Sequence, residues 1–163
     1  VLLSTNKVDQ PELAAMYAAA DYTINISDAE GFGLATLESL SCGTPIIATM
    51  TGGLQEQVVG DLGMNGIGLY PSSKAIIGSQ QVPYIYEDRI SKKAFMAAMD
   101  QMYDGGEEFR NELGNNGRQH VLKNYNFDNF NKKWVDLMLK IHEEEGSWET
   151  RKGYSNITFK EVA

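Results

Sequence analysis

Residues 22–49 read YTINISDAEGFGLATLESLSCGTPIIAT, and their pattern decides the fold. The β-branched and aromatic run at 22–26 predicts a strand, the polar, glycine-bearing residues 27–33 a turn, and residues 34–41 a helix with apolar spacing at Leu34, Leu37 and Leu40. Gly43 stands where a helix C-terminal cap belongs, and residues 45–49 (PIIAT) predict the next strand. A strand, a helix and a second strand over this spacing form a βαβ unit, which implies parallel strands.

The reading extends in both directions. Upstream, residues 1–5 predict a short buried strand and 11–20 (PELAAMYAAA) a helix with proline in its first turn, where the lost N–H has little consequence. Downstream, residues 51–59 predict a short helix entered through Gly52 and Gly53, and 66–70 another strand. Residues 71–90 show no clean period and read as a loop, with room for a short hairpin near Pro83 and Tyr84. Three helices are expected at 91–103, 107–125 and 127–142. Phe95, Met99 and Met102 are expected in the core, as are Phe130 and Trp134 of the last helix. The fold class is α/β, a Rossmann-like parallel sheet with flanking helices. We assign 1–145 to one domain and 146–163 to a tail of unassigned structure.

Composition narrows the function classes. The chain has 163 residues, is 42% hydrophobic and 22% charged, and carries a net charge of −8. That profile belongs to a folded globular chain. The acidic balance argues against nucleic acid or an anionic lipid surface as the main partner. Seven of the acids (Asp9, Glu12, Asp21, Asp28, Glu30, Glu38 and Glu56) fall in residues 1–60 against one base, Lys7. No apolar run approaches the ~20 residues of a membrane span. A lone Cys42 permits no internal disulfide, and His120 and His142 offer no metal-ligand spacing, so no metal is expected. A cytoplasmic location is the default.

Chemistry concentrates in residues 27–58. Gly31 and Gly33 lie between a strand end and a helix start, where backbone N–H groups and the helix dipole suit a phosphate. A G-x-G turn alone is more often a plain turn. Glu30 precedes it and Glu38 follows eight residues later, within an apolar, small-residue helix where an idle charge would be costly. A carboxylate can accept both hydroxyls of a vicinal diol, so the two acids suggest a ligand with phosphates and hydroxyls together. Such ligands bind at the C-terminal edge of open α/β sheets.

Taken together, Ser27, Glu30-Gly31-Phe32-Gly33-Leu34, Glu38, Gly43-Thr44-Pro45 and Gly52-Gly53 through Glu56 resemble the donor-site segment of family 4 (group 1) retaining glycosyltransferases, and the resemblance extends from residue 1 to about 142. Their signature is a pair of glutamates with seven residues between them, matched by Glu30 and Glu38. The resemblance implies the GT-B fold, of which this chain would be the C-terminal, donor-binding half. It implies that Glu38 holds the ribose of a sugar nucleotide and that Glu30, the catalytic candidate, contacts the transferred sugar. Backbone amides of Gly31, Phe32, Gly33, Leu34 and Ala35 would bind sugar hydroxyls and diphosphate, with Gly52 and Gly53 beside the sugar. The reaction implied is metal-free glycosyl transfer with retention.

Two departures follow from the same resemblance. The family's diphosphate-neutralising Arg and Lys have no match before Glu30 except Lys7, which lies in the wrong element. Residues 1–5 match the third strand of the half-domain, so we expect a fragment lacking its first two strands, inactive by itself and partnered by an N-terminal acceptor half of the same protein. In that longer enzyme a membrane-peripheral location is also compatible. The alternatives are a non-catalytic sugar-nucleotide or polysaccharide-binding module, and a GT-B relative with epimerase or phosphorylase chemistry.

Overall fold

The computed structural model describes residues 6–153, so the strand expected at 1–5 lies outside the described residues. These fall into two compact units that part between Asn124 and Tyr125.

The first unit is built on three parallel strands in the order β1-β2-β5: β1 (Thr23–Asn25), β2 (Ile46–Thr49) and β5 (Gly66–Leu69). Register pairs Thr23 with Ile46 and Ile46 with Gly66. All four residues of β2 are buried, as expected for a central strand covered on both faces. Alternation along it divides the core in two. Ile46 and Ala48 join Leu40, Leu54 and Val58 on one face, and Ile47 joins Leu69, Ala98, Met102 and Leu113 on the other. The first group draws on α2 (Leu34–Ser41) and α3 (Leu54–Val58), the second on α4 (Lys92–Asp104) and α5 (Gly106–Asn124). Met102 belongs to the second group, and Phe95 and Met99 pack against it, as their spacing predicted.

Caps account for the helix starts. Before α1 (Gln10–Ala18), the Asp9 carboxylate accepts from the Glu12 amide at 2.9 Å. Ser91 does the same for Ala94 at 3.1 Å ahead of α4. α2 begins and ends where its apolar pattern placed it, but it buries Thr36, Ser39 and Leu40, and Leu34 is 68% exposed. The polar face is held to the sheet by hydrogen bonds. Thr23 Oγ1 donates to Ser39 Oγ at 2.7 Å, Ser39 Oγ donates to the Thr44 carbonyl at 3.0 Å, and Asn25 Nδ2 donates to Thr36 Oγ1 at 3.1 Å. Pairing each hydroxyl makes its burial tolerable.

Three expectations need correction. The helix predicted at 51–59 is confined to Leu54–Val58, after which β3 (Val59–Gly60) and β4 (Gly63–Met64) form a minimal antiparallel pair. The segment read as a loop with room for a short hairpin near Pro83 and Tyr84 is an antiparallel ribbon of β6 (Ser73–Ile77) and β7 (Ile85–Arg89), longer than expected, with those two residues in its connection. Both ribbon faces are largely exposed, so no apolar alternation marks it in the sequence. Finally, α6 (Phe127–Glu145) of the second unit has no buried residue, and Phe130 and Trp134, expected in the core, are 55% and 51% exposed.

Candidate functional site

Parallel strands place the connections after β1 and β2 on one edge of the sheet, and every candidate residue except Glu38 comes from these two connections or the first turn of α2. The chain leaves β1 through an Asx turn in which Asn25 Oδ1 accepts from the Ser27 amide at 3.1 Å and from Ser27 Oγ at 2.7 Å. It then reaches α2 through Gly33, the N-cap, whose φ of +87° only glycine adopts without strain. No side chain caps the α2 N-terminus and no acid lies in its first turn. Leu34 and Ala35 are exposed there. The first-turn N–H groups and their partial positive charge therefore face outward at the sheet edge.

The connection after β2 folds back onto this turn. The Gly53 amide donates to the Gly31 carbonyl at 3.1 Å, and Gln57 Nε2 donates to the Phe32 carbonyl at 2.6 Å. Gly52, at φ +49°, lies so close that a Cβ would overlap the Glu30 carbonyl. The carbonyls of Glu30, Gly31 and Phe32 thus meet the second loop. In trans peptides, the only kind among the described residues, the N–H points opposite to its carbonyl. The Gly31 amide is consequently turned away from that wall. A Cβ built at Gly31 would meet nothing within 4 Å. This backbone can present several donors to an anion or to hydroxyls.

Gln57 is a residue the sequence reading missed. It is fully buried between Leu54 and Val58, and its backbone carbonyl accepts from Asn65 Nδ2 at 2.9 Å. Its Oε1 is buried with no hydrogen-bond partner among the described residues. Gln57→Leu is expected to lower stability by only about 1 kcal/mol, because losing the bond to Phe32 is offset by removing that orphan acceptor. Hydrogen exchange should nevertheless show reduced protection of the Gly53 amide as the two loops separate.

Glu30 is half-buried beside the Gly52-Gly53 loop, whereas Glu38 is exposed. The premise that an apolar helix would make an idle Glu38 costly therefore fails, because α2 turns this residue outward. Its carboxylate is engaged by α1: Tyr17 Oη donates to Glu38 Oε2 at 3.1 Å. Burial first, then this hydrogen bond, pushes the Tyr17 phenol up from 10.0 to about 12, with the charges of Glu38 and Cys42 adding to the rise. Above pH 10 the unfolded phenol loses its proton while the folded one keeps it, so stability present below pH 10 is lost toward about pH 12. Tyr17→Phe should remove that slope, so between about pH 9 and about pH 11 its urea midpoint should fall less than that of the unsubstituted protein.

The β6–β7 ribbon grows from the same edge. The Asp88 amide donates to the Asp28 carbonyl at 2.8 Å, and the Arg89 guanidinium bridges Asp28 at 2.9 Å and Glu87 at 2.8 Å. The Glu87 hydrogen bond is the main influence raising Arg89 above its ordinary value. Arg89 lies in the segment read as a loop and had no sequence signal. Among the described residues, no three His, Cys, Asp or Glu side chains are grouped to hold a metal, and no helix is long and apolar enough to cross a membrane.

Comparison with known proteins gives a consistent picture. The sequence pattern of the family described as Glycosyl transferases group 1 matches residues 3–120. A D-inositol 3-phosphate glycosyltransferase of Pseudarthrobacter chlorophenolicus is 49% identical over 51 residues, covering 31% of this chain and 12% of that protein. An uncharacterized glycosyltransferase of Methanocaldococcus jannaschii is 29% identical over 130 residues, covering 80% of this chain and 28% of that protein. Both matches span under a third of the relative's length. Among solved structures, sucrose-phosphate synthase from Thermosynechococcus elongatus superposes with a TM-score of 0.63 at 25% identity, over 85% of this chain and 30% of that one. The C-terminal domain of a group 1 glycosyl transferase from Francisella tularensis superposes with a TM-score of 0.52 at 25% identity, over 76% of this chain and 53% of that one.

Proposed function

The chain belongs to the glycosyl transferases group 1 family, and from that premise we propose that it binds a nucleotide-diphosphate sugar and supports transfer of the sugar, with retention, to an acceptor held by an N-terminal half. The observation that carries this reading is the uncapped α2 N-terminus stapled to the Gly52-Gly53 loop. It offers a row of backbone donors where a diphosphate and sugar hydroxyls can be received together. On this reading the amides from Gly31 to Ala35 take the diphosphate and sugar, Glu38 takes the ribose diol, and Glu30 faces the transferred sugar.

As the bond to the diphosphate lengthens, positive charge develops at the anomeric carbon and negative charge on the leaving oxygen. Preorganised amides and the α2 dipole stabilise the second, and the Glu30 carboxylate favours the first. No metal or other cofactor is needed, so excess chelator should leave turnover unchanged. The test is incubation of UDP-, GDP- and ADP-glucose with the chain joined to its N-terminal half, followed by proton NMR of the released or transferred sugar. The reading expects one donor to react and the first product to be the α anomer, as in the donor. A β product, or no turnover of any of the three, would contradict it.

A further inference from the structure

We propose that Tyr17 is a positioning residue that holds the Glu38 carboxylate ready for the vicinal hydroxyls of a ribose, an inference that rests on the donor reading above. A glutamate on an exposed helix surface samples many rotamers, and binding a diol through it requires fixing them. Here the fixing is already done. Tyr17 Oη donates to Glu38 Oε2 at 3.1 Å, and the tyrosine is itself anchored through its main chain, whose carbonyl accepts from Thr44 Oγ1 at 2.8 Å. Tyrosine has only two side-chain torsions to restrain.

The bond uses one lone pair on Oε2. Oε1 and the remaining pair on Oε2 are left to accept two hydroxyls, the number a ribose diol supplies. Tyr17 lines two cavities. One cavity, of about 170 Å³, is lined by Tyr17 and Glu38 together with Gln10, Leu13 and Ser41. A second, of about 350 Å³, runs from Tyr17 along β1 to Ala35 and Thr36 in the first turn of α2. Tyr17 is thus shared by the cavity that holds the carboxylate and the one that reaches the helix terminus proposed to receive the diphosphate. A phenol keeps its proton at neutral pH, so Tyr17 is a hydrogen-bond donor there. A purely structural role would be served equally by phenylalanine, since α1 buries no residue and the ring would pack the same way.

Calorimetric titration of UDP, GDP and ADP, each paired with its 2′,3′-dideoxy counterpart, tests this on the unsubstituted protein, Tyr17→Phe, Glu38→Gln and the double variant, with melting curves confirming that each is folded. For the nucleotide that binds, Tyr17→Phe should lose about tenfold in affinity for the ribose form and nothing for the dideoxy form, the loss expected for a misaimed charge-assisted hydrogen bond. The double variant should bind no more weakly than Glu38→Gln alone. Equal weakening of both forms by Tyr17→Phe, or no weakening of either, would overturn the positioning role while leaving the donor reading intact if Glu38→Gln still erases the ribose preference. A ribose preference that survives Glu38→Gln, or no binding of any of the three ribonucleotides to the folded protein, would overturn the donor reading and this proposal together.

Discussion

Gly52→Ala is expected to destabilise the first unit by about 3 kcal/mol, a shift in melting temperature of roughly 10 °C for a unit of this size. Two effects combine. At φ +49° an alanine pays the left-handed penalty of about 1–2 kcal/mol. Its methyl would also overlap the Glu30 carbonyl, a backbone group that can give way only if the turn carrying Gly31 and Gly33 moves with it. Gly31→Ala is the matching control. A Cβ there has open space and the backbone is outside the left-handed region, so stability should change by less than about 1 kcal/mol. Any ligand that approaches the Gly31 amide would still meet the new methyl. Thermal melts of the two variants, read beside nucleotide affinity, therefore separate a glycine needed for folding from one needed for access.

Glu30→Gln is expected to lower kcat for sugar transfer about a hundredfold in the chain joined to its N-terminal half, with the melting temperature almost unchanged. The substitution keeps the shape and the hydrogen-bonding capacity but removes the charge. A group that acts mainly on charge developing in the transition state should therefore affect kcat far more than KM. The position of Glu30 is set through its main chain, whose carbonyl lies against Gly52, so the neutral side chain should occupy the same place. Glu38→Gln should show the complementary pattern, a raised KM for donor with a smaller change in kcat. Similar effects of the two substitutions on both parameters would remove the distinction between a residue facing the reacting sugar and one holding the nucleotide.

The βαβ unit was legible because its signals were local. Gly33 starts α2 and Gly43 follows its end, with the Gly43 amide donating to the Leu40 carbonyl at 3.0 Å. What periodicity could not supply was the identity of the covering surface. Leu34 continues the apolar spacing of Leu37 and Leu40 yet is exposed, because Thr36 and Ser39 are the residues that face β1 and find hydroxyl partners there. The same limit explains α6, whose stripe from Phe127 to Ile141 is regular yet has no buried residue. An amphipathic pattern shows which face is apolar and says nothing of what covers it. The β6–β7 ribbon left no pattern because neither face is buried.

The candidate site divides in the same way. Glu30, Gly31 and Gly33 fall in one short turn and Gly52 and Gly53 adjoin each other in the next, and each group stands out locally as a glycine-bearing turn after a strand. Tyr17 meets Glu38 across 21 residues, Gln57 reaches Phe32 across 25, and Arg89 reaches Asp28 from the base of the ribbon, where the end of β7 pairs with the start of β6. Such pairings arise from tertiary packing, and a single sequence gives no signal for them beyond an unexpected polar residue, as with Gln57 between Leu54 and Val58.

The central claim is that these residues form a nucleotide-sugar donor site, and its most direct test is the melting temperature of the protein with and without millimolar UDP, GDP and ADP, repeated with Glu38→Ala. A ligand that binds only the native state adds RT ln(1 + [L]/Kd), about 2.7 kcal/mol when the ligand is at a hundred times Kd. One of the three nucleotides should shift the melting temperature upward, and Glu38→Ala should abolish that shift. No shift with any of them in the folded protein, or a shift that Glu38→Ala leaves intact, would contradict it.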